Sequence, residues 1–314
     1  MYIYLDIAEG FSCAMCGACC RNDWLVTVDQ ASYFRNAEYF GRQNKTDEFY
    51  EAFRLMETTT SVGEYAYISK RDNGGCWFLG KDNLCRLQRE AGHQHLDAVC
   101  QTFPRYPMDT ERGVEMTLSF SCPTVLAKAE RWEPLMVIRA DQPPLKIPDD
   151  SYIVSVYSDQ QARFTPLYHY FELEHHFIDI MQCRRLKVLE RLDLMSKTIG
   201  AILAIQHDER FGQILYQIIN RNYDFMDQPE EKCLSMADIL IEHFFVNFLF
   251  KKPVYIYGLQ ASLTIMRNMW QQFVTCQQGI ASSDEGLTAT RRAIMRLEIQ
   301  YGHDRKSLMQ WLAK

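Results

Sequence analysis

The chain has 314 residues, 47% of them hydrophobic and 24% charged, with a formal net charge of −6. That composition is of a folded chain and excludes a disordered one, and at roughly 100–200 residues per domain the length suggests two domains. Residues before Cys122 carry 12 basic and 17 acidic side chains and those after it 22 and 23, so neither half has the basic excess of a nucleic-acid-binding surface.

The first residues, Met1 to Cys13, hold no basic region and no continuous apolar core, so they do not read as a secretory signal. Asp29 is placed to cap a helix through Tyr33 and Phe34, and a second helix is expected to carry Phe49, Tyr50, Phe53 and Met56. Tyr65 to Ile68 reads as a short strand before the turn residues Asn73, Gly74 and Gly75. Val114, Met116, Leu118 and Phe120 alternate with mostly polar neighbours, the period of a half-buried strand ending near Cys122. A linker rich in proline and charge follows from Ala140 to Asp150.

Beyond the linker the pattern turns helical. Leu186, Leu189, Leu192, Met195, Ile199 and Leu203 recur every three or four residues and mark one apolar helix face. Segments near 166–182, 208–221, 236–250, 259–277 and 286–299 read the same way, with breaks at Gln228-Pro229, Pro253 and Ser282-Ser283. Segment 236–250 is apolar nearly all round and is expected at the centre of a bundle. The fold class this predicts is α+β and mostly helical. A small mixed cysteine-cluster domain would span residues 1–140, and an all-α helical domain residues 151–314.

The most apolar run, Leu240 to Phe250, is 11 residues long and includes Glu242, His243 and Asn247. A membrane span needs about 20 apolar residues, so none is expected. The expected compartment is the cytoplasm, where thiols stay reduced and structural disulfides are rare.

Cysteine is the anomaly in this composition. Eight of the 11 cysteines fall within residues 13–122. Cys13, Cys16, Cys19 and Cys20 form a tight group in which two-residue spacings let one loop wrap several thiolates round a centre, with Gly17 permitting close backbone approach. The adjacent side chains of Cys19 and Cys20 point in different directions, so the two need not share one metal. Cys76, Cys85, Cys100 and Cys122 are spread out and would return to the site through tertiary folding. Soft sulfur ligands suit zinc or an iron–sulfur cluster, and four thiolates fill one structural zinc site or one [4Fe–4S] cluster. Cys183, Cys233 and Cys276 each stand alone in the helical half and are expected to pack there.

The stretch Phe11 to Cys20, then Cys76-Trp77-Phe78-Leu79, Asn83-Leu84-Cys85 and Cys100 to Arg105, closely resembles the YkgJ-type cysteine-cluster family of zinc- or iron-chelating proteins, over roughly residues 11–122. Within it, Trp24 to Asp29 followed by Tyr33, the helix from Met181 to Leu192 and the segment Phe244 to Pro253 resemble the flagellin lysine-N-methylase (FliB) group. That resemblance implies transfer of a methyl group from S-adenosylmethionine to lysine side chains of a protein substrate, flagellin. No strand, Gly-x-Gly turn and helix of a Rossmann-type methyltransferase is present, and the cysteine spacing is not the Cys-x3-Cys-x2-Cys of standard radical enzymes. An iron not fully ligated by protein would be able to bind the donor's amino and carboxylate groups.

Arg105 is a candidate partner for a carboxylate or for the negative charge of a cluster, and so a candidate cofactor-binding residue. Asp23 and Trp24 follow the first cysteines, with a packed Trp and a surface Asp the expected roles. Glu174-His175-His176 reads as a solvated helix face, because adjacent histidines diverge by about 100°. Three functions remain open: a protein-lysine methylase, a metal-binding or redox module that does not methylate, and a structural zinc protein whose helical half binds a partner.

Overall fold

Short-range signals place the first elements, and pairing across long sequence separations assembles them. The computed structural model describes residues 1–22, 24–57, 64–147, 152–227, 233–280 and 282–302. Asp23, the 148–150 end of the linker and the Gln228-Pro229 break lie outside the described residues.

Strand β1 (Tyr2–Leu5) leads into a 3-10 turn and the cysteine loop, which closes on the short helix α1 (Ala18–Arg21). Strand β2 (Thr27–Asp29) runs directly into helix α2 (Gln30–Arg42), where the Asp29 carboxylate accepts the Ser32 amide at 2.8 Å as an N-cap. Helix α3 (Thr46–Ala52) then stops earlier than its apolar pattern suggests. Phe53 belongs to strand β3 (Phe53–Leu55), because it pairs opposite Ile68 of β4 (Glu64–Ile68). These strands form a three-stranded antiparallel sheet in the order β2-β4-β3. The Asn73-Gly74-Gly75 turn follows, and Gly74 has φ +78°.

Helices α4 (Arg86–Ala91) and α5 (Ala98–Thr102) precede the hairpin of β5 (Arg105–Thr110) and β6 (Gly113–Leu118). Helix α6 (Pro123–Ala129), strand β7 (Val137–Ala140) and strand β8 (Val154–Val156) complete a five-stranded sheet ordered β7-β1-β6-β5-β8. In it β1 lies parallel to β6 and β8 parallel to β5. Strand β6 is buried on both faces rather than one. Glu115 and Thr117 are enclosed because Lys252 meets the Glu115 carboxylate at 2.7 Å and Thr117 donates to the Asn247 side chain at 2.5 Å.

The helical half comprises α7 (Tyr170–Gln182), α8 (Val188–Ala204), α9 (Phe211–Met226), α10 (Met236–Phe250), α11 (Pro253–Tyr257), α12 (Leu259–Gln277) and α13 (Ser283–Leu297). As expected from its apolar sequence, α10 is buried almost throughout and crosses the centre of the packing. The mostly helical α+β class stands. No helix among the described residues is long and apolar enough to cross a membrane.

The side chains form two cores. A smaller one, rich in aromatic rings, gathers Tyr33, Phe40, Phe49, Phe53 and Phe78 with Val28, Ile68 and Leu87, and Cys20, Cys76 and Cys85 belong to its margin or interior. The larger one joins the five-stranded sheet to the helices from α6 to α13, and includes Cys122. Trp24 of the smaller core meets Phe103 of the larger at a ring separation of 5.2 Å.

Glu174 and His176 correct the solvated-face reading of that helix. Both are buried, Glu174 against Lys252 at 2.6 Å and His176 beside Asn222 at 2.9 Å, and only His175 is largely exposed. Lys252 lies between α10 and α11 and Asn222 on α9, so these partners are distant in sequence and no local pattern announces them.

Candidate metal centre

The cysteine loop approaches the segment 76–85 through backbone contacts. Gly17 has φ +68°, and a Cβ there would stand 3.0 Å from the Asn83 carbonyl oxygen, so a larger residue would be both strained and crowded. Arg21 ties the two pieces, donating to the Cys16 carbonyl at 2.8 Å and to the Asn83 side chain. The Cys76 amide donates to the Cys20 carbonyl at 2.7 Å. Isolated bridges pair Lys70 with Cys76 and Leu79 with Cys85, folding the intervening chain back on itself. Residues far apart in sequence therefore meet.

Five thiols share one neighbourhood. Cys20 hydrogen-bonds both Cys19 and Cys76, while Cys85 and Cys100 stand close enough for the charge on Cys19 and Cys76 to act on them. Three thiols in contact cannot all ionise cheaply. Hydrogen bonding from Cys20 brings Cys19 and Cys76 down to about 7, and Cys20 itself is driven far up as the donor between them. Burial raises Cys85, opposed by the Gln88 and Leu87 amides at the start of α4, where Cys85 is the N-cap residue. Cys100 is surface-exposed, yet desolvation raises its thiol well above the usual range.

The other three expected ligands lie apart. Burial raises Cys122 at the start of α6, with a smaller contribution from the neighbouring Cys16. Cys13 is exposed, and its sulfur accepts the Met15 amide at 3.3 Å. The structure thus gathers Cys19, Cys20, Cys76, Cys85 and Cys100, leaving Cys16 near Cys122 and Cys13 exposed on the loop. Among the described residues no three His, Cys, Asp or Glu side chains stand in closed metal-binding geometry. The thiols are a gathering of donors rather than a preformed cage.

Their chemistry fits a thiophilic metal. All eleven cysteines are free thiols, and two of the five gathered ones are already inclined to ionise. Ionisation is the form in which sulfur ligates metal.

Arg105 begins β5 and is half-buried. Among the described residues it holds the Gln101 carbonyl at the end of α5, not a carboxylate, and its Nε has no partner. Trp24 packs as expected, on Phe103. Cys276 donates to the Phe273 carbonyl at 3.1 Å within its helix, and Cys183 is half-buried. Cys233 instead lies exposed in the chain before α10.

Sequence reading missed Asp97 and Asn36. Asp97 caps α5 through the Val99 amide at 3.4 Å, and its carboxyl is raised to about 6 by burial. An Asp three residues before a cysteine, at a helix start, was the available signal for it. The buried Asn36 had none.

Residues 12–123 match the CxxCxxCC family, described as a "Putative zinc- or iron-chelating domain". That match covers the segment that carries eight of the 11 cysteines. The relatives are more particular. The chain is 28% identical over 120 residues to the flagellar biosynthetic protein FliU of Salmonella muenchen, covering 38% of this chain and 70% of that protein. It is 28% identical over 122 residues to the lysine-N-methylases of Salmonella typhimurium and Salmonella choleraesuis, but this spans 38% of the chain and only 29% of each methylase. No solved structure matches the chain significantly.

Proposed function

We propose that the chain is a metal-dependent protein-lysine N-methylase of the cytoplasm, using S-adenosylmethionine to methylate flagellin. The observation that carries this reading is the match to lysine-N-methylases over the thiol-bearing segment. Cys13, Cys16, Cys19, Cys20, Cys76, Cys85, Cys100 and Cys122 are the proposed ligands, with the gathered five at the centre of the site. A [4Fe–4S] cluster is the preferred group and zinc the alternative. Bound there, iron would offer a position for the donor's amino and carboxylate groups, and zinc a Lewis acid.

The chain's own contribution is positional. Arg105, turned toward the end of α5, is the proposed holder of the donor carboxylate. A desolvated cleft beside the thiols would favour a neutral substrate lysine over the ammonium that prevails below a pKa of about 10.4. The helical half presents the protein substrate.

The test is incubation of anaerobically purified, metal-loaded protein with flagellin, S-adenosylmethionine and a reductant. Lysine mass increments of one methyl group, absent in Cys19→Ser and Cys76→Ser, would support the reading. Unmodified flagellin with intact, loaded protein would overturn it. A second reading, a metal-binding or redox module without methylation, draws on the confinement of the methylase match to 29% of those proteins. It would then take precedence.

A further inference from the structure

The placement of Cys100 poses a physical problem. It lies 15 residues beyond Cys85, on a helix of only five residues, Ala98–Thr102. A helix of that length does not hold itself in place. Something outside it must fix the thiol.

The segment just before α5 is bound to α2. Asn36, 1% exposed, donates from Nδ2 to the Ser32 carbonyl at 2.9 Å and to the His95 carbonyl at 3.1 Å. Its Oδ1 meets the His95 Nδ1 at 3.2 Å, so one carboxamide grips both the backbone and the ring of His95. Two residues on, Asp97 is 6% exposed and accepts the Val99 amide at 3.4 Å, with the Asp29 amide at the head of α2 also facing its carboxylate. From Asp97 to Cys100 is less than one helical turn. A shift of residues 95–97 therefore moves the thiol with it.

We propose that Asn36 and Asp97 are positioning residues of the thiol cluster, docking residues 95–97 onto α2 and so fixing Cys100 relative to Cys19, Cys76 and Cys85. Neither residue is itself a ligand. Each acts through the backbone that carries Cys100. The arrangement explains why a lobe devoted to sulfur ligands keeps a buried carboxamide and a buried carboxylate beside the last of them. The metal-binding arm of the proposal rests on the reading of the cluster as a metal centre. The placement of Cys100 does not.

The test uses the full chain with two readouts. In the metal-free protein under native conditions, the alkylation rate of Cys100 is followed by mass spectrometry, with the remote, exposed Cys233 as internal reference. In parallel, zinc affinity is measured by competition with a chromogenic chelator. Asn36→Ala and Asp97→Ala should raise the Cys100 rate severalfold against Cys233 and weaken zinc by about tenfold or more, the range seen when groups supporting metal ligands are removed. Asp97→Asn, which keeps an acceptor at the cap, should return both readouts close to wild type. Should Asp97→Ala fail to fold, Asp97→Gly serves instead, since glycine is tolerated at helix caps while lacking the anchoring carboxylate, and should Asn36→Ala fail, Asn36→Ser, too short to grip His95, is read in its place. Unchanged Cys100 labelling in folded Asn36→Ala and in Asp97→Ala or Asp97→Gly would overturn the proposal. Wild-type protein that binds no zinc or iron would remove the metal reading, and the labelling comparison would still decide the positioning roles.

Discussion

Cys20 stands between two other thiols, and that single contact organises the residue-scale chemistry of the lobe. If the gathered sulfurs bind metal, replacing Cys19, Cys20, Cys76 or Cys85 with Ser should abolish stoichiometric metal, measured by elemental analysis. Cys183→Ser, Cys233→Ser and Cys276→Ser should leave it unchanged, because those thiols sit apart in or beside the helical half. The two-residue cysteine spacings were legible in the sequence. The division into five, two and one was not, because it depends on turns and bridges formed between 70 and 85.

Titration at this scale gives an opposed pair. Burial lowers His176 from 6.5 to about 4, and protonating its Nε2 would set a donor against the Asn222 amide, which already donates to Thr198. The unfolded chain therefore takes up this proton first. Stability from His176 is full above pH 6.5 and lost as pH falls through 4, about 3 kcal/mol in all. Asp97 runs the other way. Raised from 3.8 to about 6, it is protonated first in the folded chain, so stability rises as pH falls from 6 to below 3.8, also by about 3 kcal/mol. The two largely cancel between pH 6 and 4. Asp97→Asn should stabilise the metal-free protein at pH 7 by up to about 3 kcal/mol and expose a steeper acid loss, read from urea midpoints across pH. A flat difference between variant and wild type across that window would contradict the assignment.

At the scale of elements, α10 shows how a nearly all-apolar helix acquires a single orientation. Glu242 on it accepts Arg191 of α8 at 2.7 Å and Arg184 of the α7–α8 connection at 2.8 Å. Glu242 and Arg191 are fully buried. Glu242→Ala would leave Arg191 as an uncompensated buried charge and should cost about 3–5 kcal/mol, measurable by denaturant unfolding. Helices α8, α10 and α12 were legible from periodicity, since each buries one face or all faces over four turns or more. Strand β1 was not. It has four residues, and its partners β6 and β7 lie more than a hundred residues away. Phe53 was assigned to a helix by its spacing and taken into β3 by its pairing with Ile68, a tertiary preference overriding a local one.

Across the whole molecule the two cores are unequal. The larger joins a five-stranded sheet to the helices from α6 to α13. The smaller rests on a three-stranded sheet, α2, α3 and a group of aromatic rings, with Cys76 inside it and Cys20 and Cys85 at its margin. Small cores seldom bury enough apolar surface to stand alone and are commonly reinforced by bound metal. Metal held by these thiols would then contribute its binding energy to the folding of the smaller core while leaving the larger one nearly untouched. Chelation of the loaded protein should raise amide hydrogen exchange in β4, in the 70–85 bridges and in α4, with little change in α7, α8 and α10. Unfolding should separate into two transitions, because the buried apolar side chains pack as two separate cores. Exchange that rises equally in α10 and β4 on chelation would show that the two cores unfold as one unit and that the metal stabilises the molecule as a whole.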